Sequence, residues 1–309
     1  MVMENATRPP ESSGRRSNRS TSQPLAGWLF SMPFLLIFAV FLAIPIVASF
    51  LLSFTEFGLR DLRNPIGTAF VGLENYAALL SDDRFLKALV NTAVYVVGGV
   101  PLTLAAGLAV AIALNGAVRR FRTFFRVGYY LPVVTSIVAI AVVWRLLLGT
   151  ETGLINGLLD SVGIDGPGWL TDTSYALPSL IVMAAWRNLG FSMILFLAGL
   201  QSIPISLYEA GRVDGAKGWQ AFRHITLPLL RPTMLFVVVI TTIGYLQFFE
   251  EPFVMTEGGP LDSTLSVAFH AYNQFSFGNY GYTAAISYVL FLAIVALTLL
   301  QFRVLRPKT

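Results

Sequence analysis

The sequence predicts an all-α membrane protein with six transmembrane helices, and three observations carry that prediction. Of its 309 residues, 55% are hydrophobic and only 12% charged, and the mean hydropathy of +0.68 is above that of soluble domains. Six apolar runs, at about 27 to 54, 88 to 115, 127 to 149, 176 to 200, 232 to 250 and 283 to 303, approach or exceed the roughly 20 residues that cross about 30 Å of hydrocarbon. Basic residues collect in alternate connecting segments. Because backbone groups in lipid need local partners, each run is expected to be helical.

Residues 1 to 26 place Arg8, Arg15, Arg16 and Arg19 among Ser, Thr, Asn and Pro, with too few apolar side chains to offset the entropy of ordering. This predicts a disordered cytoplasmic tail ahead of a transmembrane domain over 27–309. The first apolar run is longer than the roughly 7 to 15 residues of a secretory signal, and no small-residue cleavage site closes it. Pro33, Pro45, Pro101, Pro132 and Pro178 fall inside or at the starts of runs, where neighbouring helices can absorb a kink. In the first loop, about 55 to 87, apolar residues from Val71 to Leu80 are spaced as on one helical face, which predicts a short interfacial helix. Asp165-Gly166-Pro167-Gly168 and Gly258-Gly259-Pro260 are turn signals. No repeat of 20 to 50 residues is visible, so the chain lacks the signature of a solenoid or of an internally duplicated secondary transporter.

The tail's arginines fall on one side with Arg119, Arg120, Arg122 and Arg126, with Arg212, Lys217, Arg223 and Arg231, and with Arg303, Arg306 and Lys308. The other side holds only Arg60, Arg63, Arg84 and Lys87. The rule that basic loops stay inside predicts both termini in the cytoplasm. The same distribution explains the net charge of +4 without nucleic acid as a partner. There is no cysteine, which removes disulfides and thiolate chemistry, and His224 and His270 lie too far apart in sequence to signal a metal site.

The loop over about 203–231 is the least ordinary segment. Ser206-Leu207-Tyr208-Glu209 matches a capping box and predicts a helix starting at Ser206, while Asp214-Gly215 supplies a residue able to take positive φ. A second short helix can then leave at an angle before Leu227-Pro228 returns the chain to the membrane, giving a helix-turn-helix on the cytoplasmic face. Ala210, Gly211, Gly215 and Ala216 are small enough for a foreign backbone to approach, and Glu209, Arg212 and Asp214 can set register by charge. A plainer reading is equally open at this point: the small residues let the loop pack beneath its own bundle.

Glu209-Ala210-Gly211, then Asp214-Gly215-Ala216, then Ile225-Thr226-Leu227-Pro228 resembles the EAA loop of binding-protein-dependent ABC importer permeases, with Gly211 in place of the third motif residue and Gly215 at the motif glycine. Phe70-Val71-Gly72-Leu73-Glu74-Asn75-Tyr76, Leu197-Ala198-Gly199-Leu200-Gln201-Ser202-Ile203-Pro204 and Thr256-Glu257-Gly258-Gly259-Pro260 extend the resemblance, to the maltose and glycerol-3-phosphate class of carbohydrate permeases. It implies the type I ABC importer permease fold, with a cytoplasmic coupling helix. It also implies a second homologous permease subunit, a dimeric cytoplasmic ATPase and an extracytoplasmic solute-binding protein as partners, with membrane lipid around them. On that resemblance Glu209, Ala210, Gly211, Arg212, Asp214, Gly215 and Ala216 would couple the chain to the ATPase. The loop from about Thr150 to Tyr175 is far shorter than the large outer domain of the maltose-type subunit, so maltose itself is not implied.

An ionisable residue inside a span costs roughly 2.5–3.5 kcal/mol on insertion scales and calls for a reason. Arg145 lies near a span end, from which it can snorkel to headgroups. Arg187 lies deeper, between Trp186 and Asn188, and either faces a pathway or pairs with Glu250 or Glu251. Tyr245, Gln247, Phe248 and Glu250 combine flat rings with polar groups, the mixture that binds sugars, although aromatic anchoring at the membrane surface explains any one of them equally. Trp186, Arg187, Asn188, Tyr245, Gln247, Phe248 and Glu250 are therefore the candidate pathway residues.

No G-x-x-x-x-G-K-[ST] motif is present, so ATP and magnesium are expected on the partner ATPase and no cofactor or enzymatic activity on this chain. The scarcity of Lys and Arg in the outer loops favours a sugar or oligosaccharide over glycerol-3-phosphate or a glycerophosphodiester. An ion-coupled secondary transporter would need carboxylates deep in its spans, which the sequence lacks.

Overall fold

The computed structural model describes residues 22–64, 67–116 and 121–305. The tail up to residue 21, Arg119, Arg120, Arg306 and Lys308 lie outside the described residues. Within them every regular element is helical, apart from one isolated bridge between Thr55 and Phe70. Four helices are long and apolar enough to cross a membrane, or up to six if each of two bent pairs is one span.

The chain divides into two units, Met1–Ser49 and Phe50–Thr309. In the first, α1 (Ser22–Phe38) runs through a π-helical turn, Ala39–Ala43, into α2 (Ile44–Leu52), whose last three residues belong to the second. Pro45 has no N–H and its ring would strike the carbonyl four residues back, so the chain widens just before it and the Ile44 N–H reaches Ala39. Gly27–Leu52 has a mean hydropathy of 2.9 in its most apolar window and none of that window is buried, as a lipid-facing helix requires.

The second unit is built around α4 (Asp83–Gly116) and α8 (Thr173–Gln201), which pack along their lengths. Asn91, Tyr95, Gly99, Thr103 and Gly107 recur every fourth residue and are all buried on one face of α4. A Cβ on Gly107 would press on Ser192, and one on Gly99 would strike the Tyr245 ring. Asp82 caps α4, accepting from the Arg84 and Phe85 amides at 2.9 and 3.1 Å, which starts the helix several residues before the apolar run does.

The third span, expected as one helix over 127 to 149, is broken. α5 (Arg122–Val134) and α6 (Ile137–Leu147) meet at 97°. Pro132 removes a ladder bond, and Thr135 then turns extended at ψ 147°. Here α5 lies against α8 so closely that a Cβ on Gly190 would collide with the Tyr129 carbonyl.

The fifth span also differs from its expected 232 to 250. α12 (Arg231–Leu246) stops at Gln247, after Gly244 in its last turn, and a separate α13 begins at Glu250 (Glu250–Met255). Glu250 and Glu251 fill the first turn of α13, where carboxylates complement the helix dipole, with Pro252 close behind. They therefore do not end the fifth span.

α3 (Glu74–Leu79) is the helix expected in the first loop. It packs on α15 (Tyr280–Leu305), with Leu79 buried. Arg145, at the end of α6, donates to the Val254 carbonyl at 3.1 Å, so it has a protein partner where headgroups were expected. The loop after α13 is clamped to α4: Asn91 donates to the Asp262 and Leu265 carbonyls, and Thr92 accepts from the Val267 amide. α14 (Val267–Ser276) then leads into α15.

Candidate functional site

The break between α5 and α6 opens a cavity of about 360 Å³ that α4, α8, α12 and the start of α13 complete. Val133 and Ile137, on either side of the break, line it with Tyr95, Arg187, Asn188, Phe191 and Ser192, and with Ile240, Thr241, Gly244, Tyr245, Gln247, Phe248, Glu250 and Glu251. Tyr95 and Phe248 stack at 3.8 Å with planes 10° apart, and the Tyr245 ring lies 5.1 Å from Tyr95. The Tyr245 hydroxyl pairs with Thr103 at 2.6 Å and holds the ring over Gly99. The volume falls within the roughly 300–1,000 Å³ of small-molecule sites, and the mixture of rings and converging polar groups is typical of them.

The Ser192 hydroxyl and Arg187 Nε are buried in this wall without a hydrogen-bond partner, and the Tyr95 hydroxyl and the Glu251 carboxyl face one another there. A buried polar group without a partner costs about 1–3 kcal/mol, and two of them around one cavity are the arrangement of a site completed by something else. Arg187 forms no ion pair with Glu250 or Glu251. Its closest bond is a weak one to Asn188 Oδ1, at 3.5 Å. Among the described residues there is no group of three metal-binding side chains.

Six of the seven candidate pathway residues, Arg187, Asn188, Tyr245, Gln247, Phe248 and Glu250, line this one cavity. Trp186 does not. It is 45% exposed on the far side of α8, 5.7 Å from Trp144. Tyr95, Ser192 and Thr241 were not singled out from sequence. The signal for Tyr95 was available in the four-residue stripe on α4.

At the opposite end of α8, α9 (Ile205–Val213) begins the loop over about 203–231. It starts one residue earlier than expected and makes no side-chain capping bond, because Pro204, at φ −58° and ψ 130°, already sets the extended entry that a capping serine would hold. The helix ends in a Schellman motif, with Gly215 at φ +77°, its amide donating to Arg212 and that of Ala216 to Gly211 at 2.8 Å. α10 (Gly218–Ala221), a π-helical turn over Phe222–Thr226 and α11 (Leu227–Leu229) follow, and the chain bends by 68° into α12. The π turn precedes Pro228 as the earlier one precedes Pro45.

The small residues divide between the two readings. Gly211 packs inward, since a Cβ there would lie 2.9 Å from Ile225 Cδ1, and Ala216 is half-buried beside it. Tyr208 bonds Thr226 at 2.9 Å and fixes α9 to the returning chain. Glu209, Ala210, Arg212, Asp214 and Gly215 are exposed. So are Val213, at 87%, and Trp219, at 69%, two apolar side chains that sequence reasoning passed over. Exposed apolar residues rimmed by charge mark a contact surface.

Residues 99–308 match the family model described as "Binding-protein-dependent transport system inner membrane component". The chain belongs to that family. This transport component is 36% identical to the lactose transport system permease protein LacF of Rhizobium radiobacter over 95% of its own length and 98% of the relative's. It is 35% identical to the arabinooligosaccharides transport system permease protein AraP of Bacillus subtilis, over 91% and 89% of the two chains. Its fold matches a chain of a bacterial ABC transporter that imports the acidic polysaccharide alginate, with a TM-score of 0.79 at 24% identity and coverage of 93% and 97%. The type I importer permease fold expected of the transport component is therefore present, as a membrane protein whose apolar helices can cross the bilayer as many as six times.

Proposed function

We propose that this chain is a membrane subunit of an ATP-driven importer that takes up a sugar or oligosaccharide, with the cavity between α4, α8 and α12 as a station on the substrate's path. The observation that carries the reading is the two unpartnered polar groups, on Arg187 and Ser192, beside stacked rings in that cavity. Sugars offer C–H faces to rings and need oriented donors and acceptors for their hydroxyls. The relatives whose names specify lactose and arabinooligosaccharides support it.

The coupling loop faces the cytoplasm in this reading, as the basic segments on its side favour, with both termini inside. Glu209, Ala210, Arg212, Val213, Asp214 and Trp219 present the face that an ATPase subunit receives, with Gly211, Gly215 and Ala216 shaping the elbow behind it. ATP and magnesium bind on that ATPase. A second permease subunit completes the pathway, and an extracytoplasmic binding protein delivers the sugar. ATPase activity of the reconstituted importer, measured across a panel of sugars and sugar phosphates, tests the reading. Stimulation by a saccharide with its binding protein is expected, and stimulation by sugar phosphates alone overturns it.

A further inference from the structure

Ser192, in the middle of α8, is 1% exposed and forms part of the cavity wall, yet its hydroxyl has no hydrogen-bond partner. A serine or threonine inside a helix has an acceptor at hand, the carbonyl four residues earlier. Ser31, Thr92, Ser276, Thr283 and Ser287 all donate to theirs, at 2.7 to 2.9 Å. Ser192 does not, although the Asn188 carbonyl is the corresponding acceptor. Its place is fixed by α4, because a Cβ on Gly107 would lie 2.8 Å from Ser192 Cβ and 3.2 Å from the Met193 nitrogen.

A buried hydroxyl without a partner works against folding, and in a cavity wall a ligand's own hydroxyl can complete it. Serine and sugar hydroxyls each donate and accept, so the pair can form in either direction. Arg187 lies about 7.5 Å back along the axis of the same helix, a donor only, with its Nε also unpartnered. Tyr95 and Phe248, stacked in the same wall, add ring faces for C–H surfaces. A site built to bond a ligand hydroxyl discriminates against the analogue that lacks it, because its own polar group is then left unpaired.

On the reading that the cavity holds a saccharide in transit, we propose that Ser192 is a specificity-determining residue, pairing with one hydroxyl of the sugar and selecting against saccharides that lack that hydroxyl.

The test uses the importer assembled with its second permease subunit and ATPase, leaving out only the soluble binding protein so that its selectivity cannot intervene. Saturation-transfer NMR measures binding of lactose, maltose, trehalose and cellobiose, and of the monodeoxy analogues of each sugar that binds. Ser192→Ala should weaken the parent sugar about three- to tenfold. It should leave unchanged the affinity for one analogue, the one without the hydroxyl that Ser192 engages. In the absence of sugar the same variant should melt no lower than the unaltered importer, because it removes a group that has no partner within the protein. A residue that merely supports the fold would weaken the parent and all its analogues alike and lower the melting temperature. That result, failure of the variant to assemble, or binding of every sugar as tightly as before overturns the proposal while the saccharide reading stands. If no sugar binds the unaltered importer, the saccharide reading fails and this proposal with it.

Discussion

Asp82 and His270 lie far apart in sequence and meet through one carboxylate that serves three elements. One Asp82 oxygen caps α4. The other lies 3.2 Å from His270 Nε2, on α14, and accepts from the Tyr282 hydroxyl, on α15, at 2.7 Å. Around it, Leu79, Phe85, Leu265, Phe269 and Ile286 form a buried cluster that joins the same elements.

This clasp makes stability depend on pH in a definite direction. Burial lowers the pKa of His270 below 6.5, outweighing the attraction of Asp82 and Asp262, and Arg84 adds to the lowering. Burial raises that of Asp82, but the Tyr282 hydroxyl, the Phe85 amide, His270 and the Arg84 amide together bring it below 3.8. In both cases the unfolded chain binds a proton that the folded chain resists. The contribution is complete above about pH 6.5, declines below it as unfolded His270 titrates, and declines further below about pH 3.8. Thermal unfolding in detergent should show a melting temperature that falls between pH 7.5 and pH 5, with His270→Gln flattening that slope. Asp82→Asn, which weakens a cap and two side-chain bonds, should cost about 1.5–3 kcal/mol at neutral pH.

Gly215→Pro should separate folding from transport. At φ +77° the position excludes proline, whose φ is held near −65°, and the substitution also removes the amide that donates to Arg212. The elbow between α9 and α10 must then re-form differently, while the apolar spans that direct insertion are untouched. Normal membrane levels with loss of substrate-stimulated ATP hydrolysis and of uptake are expected. Uptake at the unaltered rate would remove the coupling role assigned to this loop.

Gly190→Ala should be among the costliest single-methyl changes in the chain. Its new Cβ would meet the backbone of Tyr129 and Tyr130, which cannot rotate away as a side chain can. Forced overpacking of this kind costs about 1–3 kcal/mol, and here the displaced α5 also carries Val133 into the cavity wall. Gly116→Ala provides the comparison, because nothing lies within 4 Å of its added Cβ. Thermal unfolding of the two variants side by side checks the difference, and equal melting temperatures would contradict the packing described.

The parts of this architecture that sequence made legible are those dictated by local physics. Length and hydropathy located α4, α8 and α15 to within a few residues, because a long apolar helix has no alternative in lipid. Asp214-Gly215 announced the elbow, because a positive φ is cheap only for glycine. What escaped depended on distant partners. The break at Thr135 follows a proline that other spans, such as α4 at Pro101, absorb within one continuous helix, and it is stabilised by contact with α8 at Gly190. Arg187 and Glu251 were weighed as an ion pair because each is costly alone. Only the fold shows both at one cavity with no salt bridge between them. Val213 and Trp219 looked like ordinary apolar residues until the helix face they occupy was known.

Two of the contacts that hold the loop after α13 to α4 differ in environment, and the environments rank them. Arg84 grips Asp262 with two bonds, at 2.9 and 3.1 Å, but the side chains are 54% and 33% exposed, where water competes and an ion pair contributes about 0–1 kcal/mol. Asn91 is a neutral residue, only 8% exposed, and its amide donates to the Asp262 and Leu265 carbonyls at 2.8 and 3.0 Å. Its removal leaves the Leu265 carbonyl in a buried setting without a donor, at about 1–3 kcal/mol, while the Asp262 carbonyl keeps the Leu265 amide. Asn91→Ala should therefore destabilise the protein more than Arg84→Gln, despite the formal charge lost in the second. Thermal unfolding and limited proteolysis within residues 256–267 provide the measurement. Faster cleavage in the arginine variant than in the asparagine variant would show that the exposed ion pair, and not the buried amide, secures this loop.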